Sequence, residues 1–241
     1  MKPLVVFAYN FPHKKTQDIL LHLFVHGYEV GLILAANPVK LNIPPHTIRT
    51  KIRHSALLHP QQISKRIGAN YIVLPHNSRE AEELLQQINP ELGIIAGARI
   101  LKNYIISKFS IGIINLHPGL IPEARGLDAM LWSIYKDIPL GVTAHLIDER
   151  IDAGRILLKE TIPIYEDDTL LDLSERLYEK QLEMLVPAIN SAYEGNFTLV
   201  SSQNPYNRKM PAELEQEVVN KLRDYIACFS KKDKKKSFWA W

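Results

Sequence analysis

The chain has 241 residues, of which 46% are hydrophobic and 23% charged, and a formal net charge of +3. These are ordinary globular values, enough for one full α/β domain and a small appendage. The excess charge gathers in Lys231–Lys236, too short a run for a nucleic-acid surface, so no nucleic-acid partner is expected. No apolar run approaches the ~20 residues that span a bilayer, and the start MKPLVVFAYNFPHKK is too brief for a signal peptide. Cys228 is the only cysteine, which excludes an intrachain disulfide and agrees with a reducing compartment. A cytoplasmic protein with no membrane partner is expected.

Leu4–Ala8 is a short β-branched run, the pattern of a buried parallel strand. Residues 9–15 form the loop after it, Thr16 is placed as the N-cap, and Ile19, Leu20, Leu23 and Phe24 recur at helical spacing. Gly27 suits the helix stop, and 29–35 reads as the next strand, which completes a βαβ unit. No GxGxxG or GxxxxGK fingerprint follows the first strand. Residues 37–60, rich in proline and histidine with basic residues near Arg49–Arg53, read as an irregular connection with a short strand inside. A helix is expected at 61–67, a strand at 71–74, and a helix at 80–88 capped by Asn77 or Ser78. A buried strand at 92–96 leads into Gly97-Ala98-Arg99-Ile100-Leu101, a candidate ligand loop, and then a short helix at 104–109.

The rest is organised around IGIINLHPGLIPEARG, residues 111–126. An apolar strand runs into a loop carrying Asn115 and His117, where open α/β sheets place ligands. Next come a helix at 128–135, a strand at 140–147, the acidic turn 148–154 containing Asp152, and a partner strand at 155–164. Thr169 caps a long helix from 170 to 193 that ends at Gly195-Asn196. Residues 196–210 read as a polar connection and 211–229 as a final amphipathic helix, before the charged run and Ser237-Phe238-Trp239-Ala240-Trp241. A catalytic domain over 1–195 and a C-terminal extension over 196–241 are expected.

Asn115, His117 and Asp152 make a chemical set. An amide donates to a developing oxyanion, an imidazole assists the same charge and shuttles a proton, and a carboxylate orients the imidazole or takes a proton from an incoming amine. No Gly-x-Ser-x-Gly is present and Cys228 lies in the terminal helix, so direct transfer between two substrates fits better than a covalent enzyme intermediate. A metal held by His117, Asp152 and His145 is the rival use. Without HExxH or Cys-x-x-Cys spacing no metal is expected. Taken singly, each residue also suits a plain structural use at a strand end or turn.

Asn115-Leu116-His117-Pro118-Gly119-Leu120-Ile121-Pro122, followed by Arg125-Gly126, resembles the Asn-x-His-x-Ser-Leu-Leu-Pro motif of folate-dependent formyltransferases. Gly141-Val142-Thr143-Ala144-His145 with Asp152-Ala153-Gly154 resembles that family's second signature, and Ala96–Leu101 its folate loop. Gly119 stands where serine is usual; the loop should tolerate this while losing a hydroxyl hydrogen bond. The resemblance implies a Rossmann-like α/β formyltransferase fold, a mostly parallel twisted sheet with flanking helices and a small C-terminal helical extension. It implies 10-formyltetrahydrofolate as co-substrate, Asn115 and His117 on the oxyanion, and Asp152 aiding proton removal. The pterin would lie among Arg99, Ile100, Leu101, Ile147 and Asp148.

Family members differ in acceptor. This chain resembles glycinamide ribonucleotide formyltransferases in its motifs but lacks their Gly/Ser/Asn-rich phosphate turn. The residues after the long helix are too few for the barrel of methionyl-tRNA formyltransferases. The chain also begins directly with its first strand, unlike formyltetrahydrofolate hydrolases. The expectation that remains is a nucleotide-linked amino-deoxy sugar, with Asn10, Lys14, Lys15 and Arg125 as candidate contacts to its phosphates and sugar and Phe11 as a stacking surface. The alternatives are the purine enzyme and a non-catalytic binding module. A homodimer is expected from the apolar surface of helix 211–229 with Phe238, Trp239 and Trp241.

Overall fold

Burial alternates with period two along β1 (Leu4–Tyr9). Leu4, Val6 and Ala8 enter one apolar cluster, and Val5 and Phe7 enter another on the opposite face. A strand covered on both faces buries every side chain, which makes such runs continuously apolar. The computed structural model describes residues 1–40, 42–52, 54–148, 154–200 and 206–230. It adds β2 (Val30–Ala36), β3 (Asn70–Val73), β4 (Leu92–Ile95), β5 (Gly112–His117), β6 (Gly141–Leu146), β7 (Gly154–Thr161) and β8 (Thr198–Val200). They form one sheet of order β3-β2-β1-β4-β5-β6-β7-β8. From β3 to β5 neighbouring strands run parallel, and β6, β7 and β8 follow antiparallel. The sheet is the mostly parallel α/β arrangement expected.

The helices are α1 (Lys14–Val25), α2 (Pro60–Ile67), α3 (Arg79–Ile88), α4 (Asn103–Ile106), α5 (Ala129–Tyr135), α6 (Leu170–Glu183), α7 (Leu185–Glu194) and α8 (Ala212–Phe229). The larger apolar cluster takes side chains from α1, α2, α5, α6, α7 and α8, and the smaller one from α3 and α4. Two unequal layers therefore cover the sheet. In α8, Val218, Tyr225 and Ile226 are buried, and the Tyr225 hydroxyl donates to the Ile138 carbonyl at 2.8 Å. No helix of the described residues is long and apolar enough to cross a membrane.

Four local expectations are corrected. His13, not Thr16, is the N-cap of α1. Thr16 lies inside the helix, fully buried, its hydroxyl turned to His13 and to the Ala96 carbonyl. The described part of 37–59 contains no strand. Pro38, Pro44 and Pro45 lack the N–H a ladder needs, and the segment is held by side chains instead. The long helix is two helices broken at Met184, because Pro187 cannot donate to the carbonyl one turn earlier. Residues 198–200 of the expected polar connection add β8 to the sheet, beside β7. The turn 149–153 and the tail 231–241 lie outside the described residues. Asp152, the lysine run, Phe238, Trp239 and Trp241 fall there.

Strand order reverses at β1, which has β2 on one side and β4 on the other. At such a switch the loops leaving the two carboxyl ends turn to opposite faces and open a crevice.

Candidate active site

The crevice is a cleft of about 950 Å³. His13, Lys14 and Lys15 line it after β1, Ile95 and residues 98–101 after β4, Asn115, His117 and Pro118 at the end of β5, and Ile147 and Asp148 after β6. The start of α5, one face of α6 and the segment Thr50–Ile52 with His54 complete the walls.

Asn115 and His117 are two residues apart on β5 and so share a face, continuing the side of Ile113. Asn115 sits opposite His145 in the antiparallel ladder, and its Nδ2 lies 3.3 Å from His145 Nε2. An amide carries two N–H bonds, so this contact uses one and fixes the plane of the other. His117 is buried, and its Nε2 donates to the Ala124 carbonyl at 2.8 Å. To donate to a ligand oxygen as well, the ring must carry its second proton on Nδ1.

The loop after His117 is closed around Gly119. A Cβ there would lie 2.6 Å from the Ala124 oxygen and 2.8 Å from His117 Nε2. Serine would disrupt the bond that sets the histidine, so glycine here is a requirement of the loop and more than a tolerated loss of a hydroxyl. Thr143, fully buried, ties the loop down. Its hydroxyl donates to the Gly119 carbonyl at 2.8 Å and accepts from the Ile121 N–H at 3.0 Å.

Arg99, Ile100, Leu101, Ile147 and Asp148 all line the cleft. Asn77 clamps their loop, donating to the Ile100 carbonyl at 2.9 Å and accepting from the Lys102 N–H at 2.8 Å. Ile100 is thereby left 65% exposed at the cleft, and Leu101 is buried. Apolar Ile95, Ile100 and Ile147 beside a carboxylate suit a flat heteroaromatic ring with a donor edge.

The expected acceptor contacts divide. Lys14 and Lys15 line the cleft; Asn10 and Arg125 do not. Asn10 donates to Asn37 at 2.7 Å and accepts from the Tyr71 hydroxyl at 2.6 Å, and Arg125 is buried. Phe11 stacks on Tyr9 at 5.2 Å and is not part of the lining. The Lys15 ammonium donates to the Leu116 carbonyl at 3.1 Å and to Gln181 at 2.9 Å. Lys14 pairs with Asp18 at 3.2 Å and lies 3.5 Å above the Tyr178 ring.

Sequence reasoning missed the outer wall. His46, Thr50, Lys51, Ile52 and His54 face the cleft from the irregular segment before α2. That segment is anchored by Glu215 of α8, which is 1% exposed. Glu215 accepts from the Thr47 N–H at 2.7 Å, the Thr47 hydroxyl at 2.6 Å and His46 Nδ1 at 2.7 Å. Burial alone would raise the Glu215 pKa, but hydrogen bonds from Lys209, Thr47 and His46 outweigh it and bring it to about 2. His46, Asp128 and Glu215 converge as three metal ligands would. The Lys209 ammonium stands among them, bonded to Glu215, 3.4 Å from Asp128 and 3.0 Å from His46 Nδ1. No sequence spacing announces this group, because its members come from three separate segments, around residues 46, 128 and 209–215.

The family model for formyl transferase matches residues 42–189. A methionyl-tRNA formyltransferase of Koribacter versatilis (strain Ellin345) is 31% identical over 163 residues, covering 62% of this chain and 52% of that protein. The chain spans about half the length of the first curated relatives it matches. Among solved structures, glycinamide ribonucleotide transformylase 1 from Symbiobacterium toebii superposes with a TM-score of 0.59 at 22% identity, covering 80% of this chain and 88% of that one. A sugar N-formyltransferase from Shewanella sp FDAARGOS_354 does so with a TM-score of 0.58 at 22% identity, covering 86% and 76%. These superpositions show a shared fold. A β5 terminus presenting Asn115 and His117 to a cleft, together with a family match over most of the chain, identifies the chain as a member of the formyl transferase family.

Proposed function

We propose that this chain moves a formyl group from 10-formyltetrahydrofolate to the amine of a nucleotide-linked amino-deoxy sugar. The observation that carries the transfer chemistry is the pairing of Asn115 and His117 at one strand end, each already set by a partner inside the fold. The folate supplies an activated one-carbon unit. Asn115 donates through Nδ2, and His117 through its second ring proton, to the oxygen that gains charge as the amine adds to the formyl carbon. Asp152 receives the amine proton, directly or through water, and the nitrogen that loses the formyl group takes up a proton in turn. Arg99, Ile100, Leu101, Ile147 and Asp148 would hold the pterin. The side of the cleft bearing Lys14, Lys15 and Lys51 supports an anionic acceptor. A second copy of the chain is the expected partner in assembly, and the cytoplasm the expected place of reaction.

The test follows absorbance as formyl-folate becomes tetrahydrofolate with a panel of amines. The panel holds nucleotide-linked amino-deoxy sugars differing in nucleotide and amine position, glycinamide ribonucleotide, methionyl-tRNA and a blank. Turnover with an amino sugar alone is the expected result. Turnover with glycinamide ribonucleotide alone makes this the purine enzyme, turnover in the blank a hydrolase, and none at all a binding module.

A further inference from the structure

Formyl transfer as described leaves unused a histidine in the cleft wall. His13 lies at the start of α1 and lines the cleft. Its Nδ1 is 2.9 Å from the Thr16 hydroxyl. That hydroxyl, buried, is directed at the Ala96 carbonyl 3.4 Å away, and a carbonyl only accepts. With the hydroxyl proton on Ala96, the hydroxyl oxygen receives a proton from Nδ1. In the neutral ring this leaves the lone pair on Nε2, which makes no hydrogen bond among the described residues. The ring packs at a steep angle against Tyr9, at 5.3 Å, and Phe11, at 6.0 Å. Gly97 permits the packing, since a Cβ there would lie 2.8 Å from the Tyr9 ring and 3.3 Å from His13 Nδ1.

The ring is also kept neutral. Burial first, then the ammonium groups of Lys15 and Lys51, push its pKa down to about 4, against a smaller opposing effect of Asp18. So weak a base does not hold the proton of an attacking amine, whose ordinary pKa is about 10. His13 is thus a hydrogen-bond acceptor and not a general base. Its cleft neighbours Lys14, Lys15 and Lys51 carry ammonium groups, which donate and never accept. An anionic part of a ligand is served by those ammonium groups; what Nε2 matches is a neutral O–H or N–H beside it.

Resting on the reading that an anionic amine-bearing acceptor enters this cleft, we propose that His13 is a specificity-determining residue whose Nε2 accepts a hydrogen bond from a hydroxyl or amide N–H of that acceptor. Nitrogen and carbon NMR of the full chain labelled at histidine, with the His13→Gln variant for assignment, tests the ring without any acceptor. The neutral Nδ1–H tautomer is expected at neutral pH and is retained in excess inorganic phosphate. An Nε2–H tautomer, or conversion to imidazolium by phosphate, overturns the proposal, the latter by making this an anion site. In kinetics with the acceptor that the panel turns over best, His13→Phe raises the acceptor KM about tenfold, the usual loss of one hydrogen bond to a desolvated donor. The folate KM and kcat stay within about twofold. His13→Gln, which can offer an amide oxygen, recovers much of the loss. An unchanged acceptor KM in His13→Phe, or glutamine no better than phenylalanine, counts against it. A silent panel overturns the functional reading and takes the acceptor's role with it, whereas a wrong ring state overturns His13 alone.

Discussion

The floor and the outer wall of the cleft are built on different principles. The floor is the end of β5, where Asn115 and His117 inherit their positions from a backbone ladder, to which contacts with His145 and the Ala124 carbonyl are added. The outer wall, from His46 to His54, has no ladder among its described residues. Its place is set by a buried carboxylate on a helix 168 residues further along the chain. Backbone pairing places side chains through many shared bonds, whereas a side-chain anchor concentrates the same task in one residue. Damage to the floor should therefore appear in chemistry, and damage to the wall in stability and substrate affinity.

Glu215→Ala is expected to have the largest effect. It leaves the Lys209 ammonium and the Thr47 donors short of their buried acceptor, a loss of about 3–5 kcal/mol by urea unfolding. The acceptor KM should rise while kcat in the folded fraction holds; a variant with unchanged stability and KM would show that the wall does not depend on this anchor. Asn115→Ala should show the reverse pattern. Turnover falls on the order of 10²-fold or more, with folate still bound and stability little altered. Near-normal turnover would remove Asn115 from the mechanism.

Gly119→Ser sharpens the contrast, since it overfills the floor without deleting a functional group. A loss of about 1–3 kcal/mol in stability is expected, with a fall in kcat as His117 loses its fixed partner. Full activity would mean that the Ala124 contact is not what sets the imidazole.

The smallest effect is expected from acid, which should separate the wall's anchor Glu215 from His13 at the start of α1. Glu215 has a folded pKa near 2 against an ordinary 4.5, so its contribution is complete above 4.5 and is lost as pH falls toward 2. His13 has a folded pKa near 4 against an ordinary 6.5; the unfolded chain binds its proton first, and stability declines as pH falls from 6.5 toward 4. Melting curves across this range should show the upper part of the decline shrink in His13→Gln, with buried His76 keeping a share of it, and the lower part shrink in Glu215→Gln. Coincident profiles for the two variants would contradict these assignments.

Much of the floor was legible in the sequence because its signals are local. Apolar runs such as 92–95 and 112–116 announce strands, and Asn115 with His117 at a strand end announces chemistry. The wall was illegible for the opposite reason. Glu215 in the first turn of an amphipathic helix reads as a solvated complement to the helix dipole, yet it is buried against Thr47. His13 was hidden because its tautomer depends on which distant carbonyl the neighbouring Thr16 finds, here Ala96. Three-residue β8 was too short for alternation to register, and Asn10 looked like a ligand contact because a loop asparagine gives no hint that Tyr71 will take it.

Lys209 sits where three ligands would otherwise surround a divalent ion. A counter-ion fastened to the polypeptide arrives with every molecule synthesised, at full occupancy and in fixed stoichiometry. The junction between the C-terminal helix and the cleft is in this way held by charges that the chain itself carries.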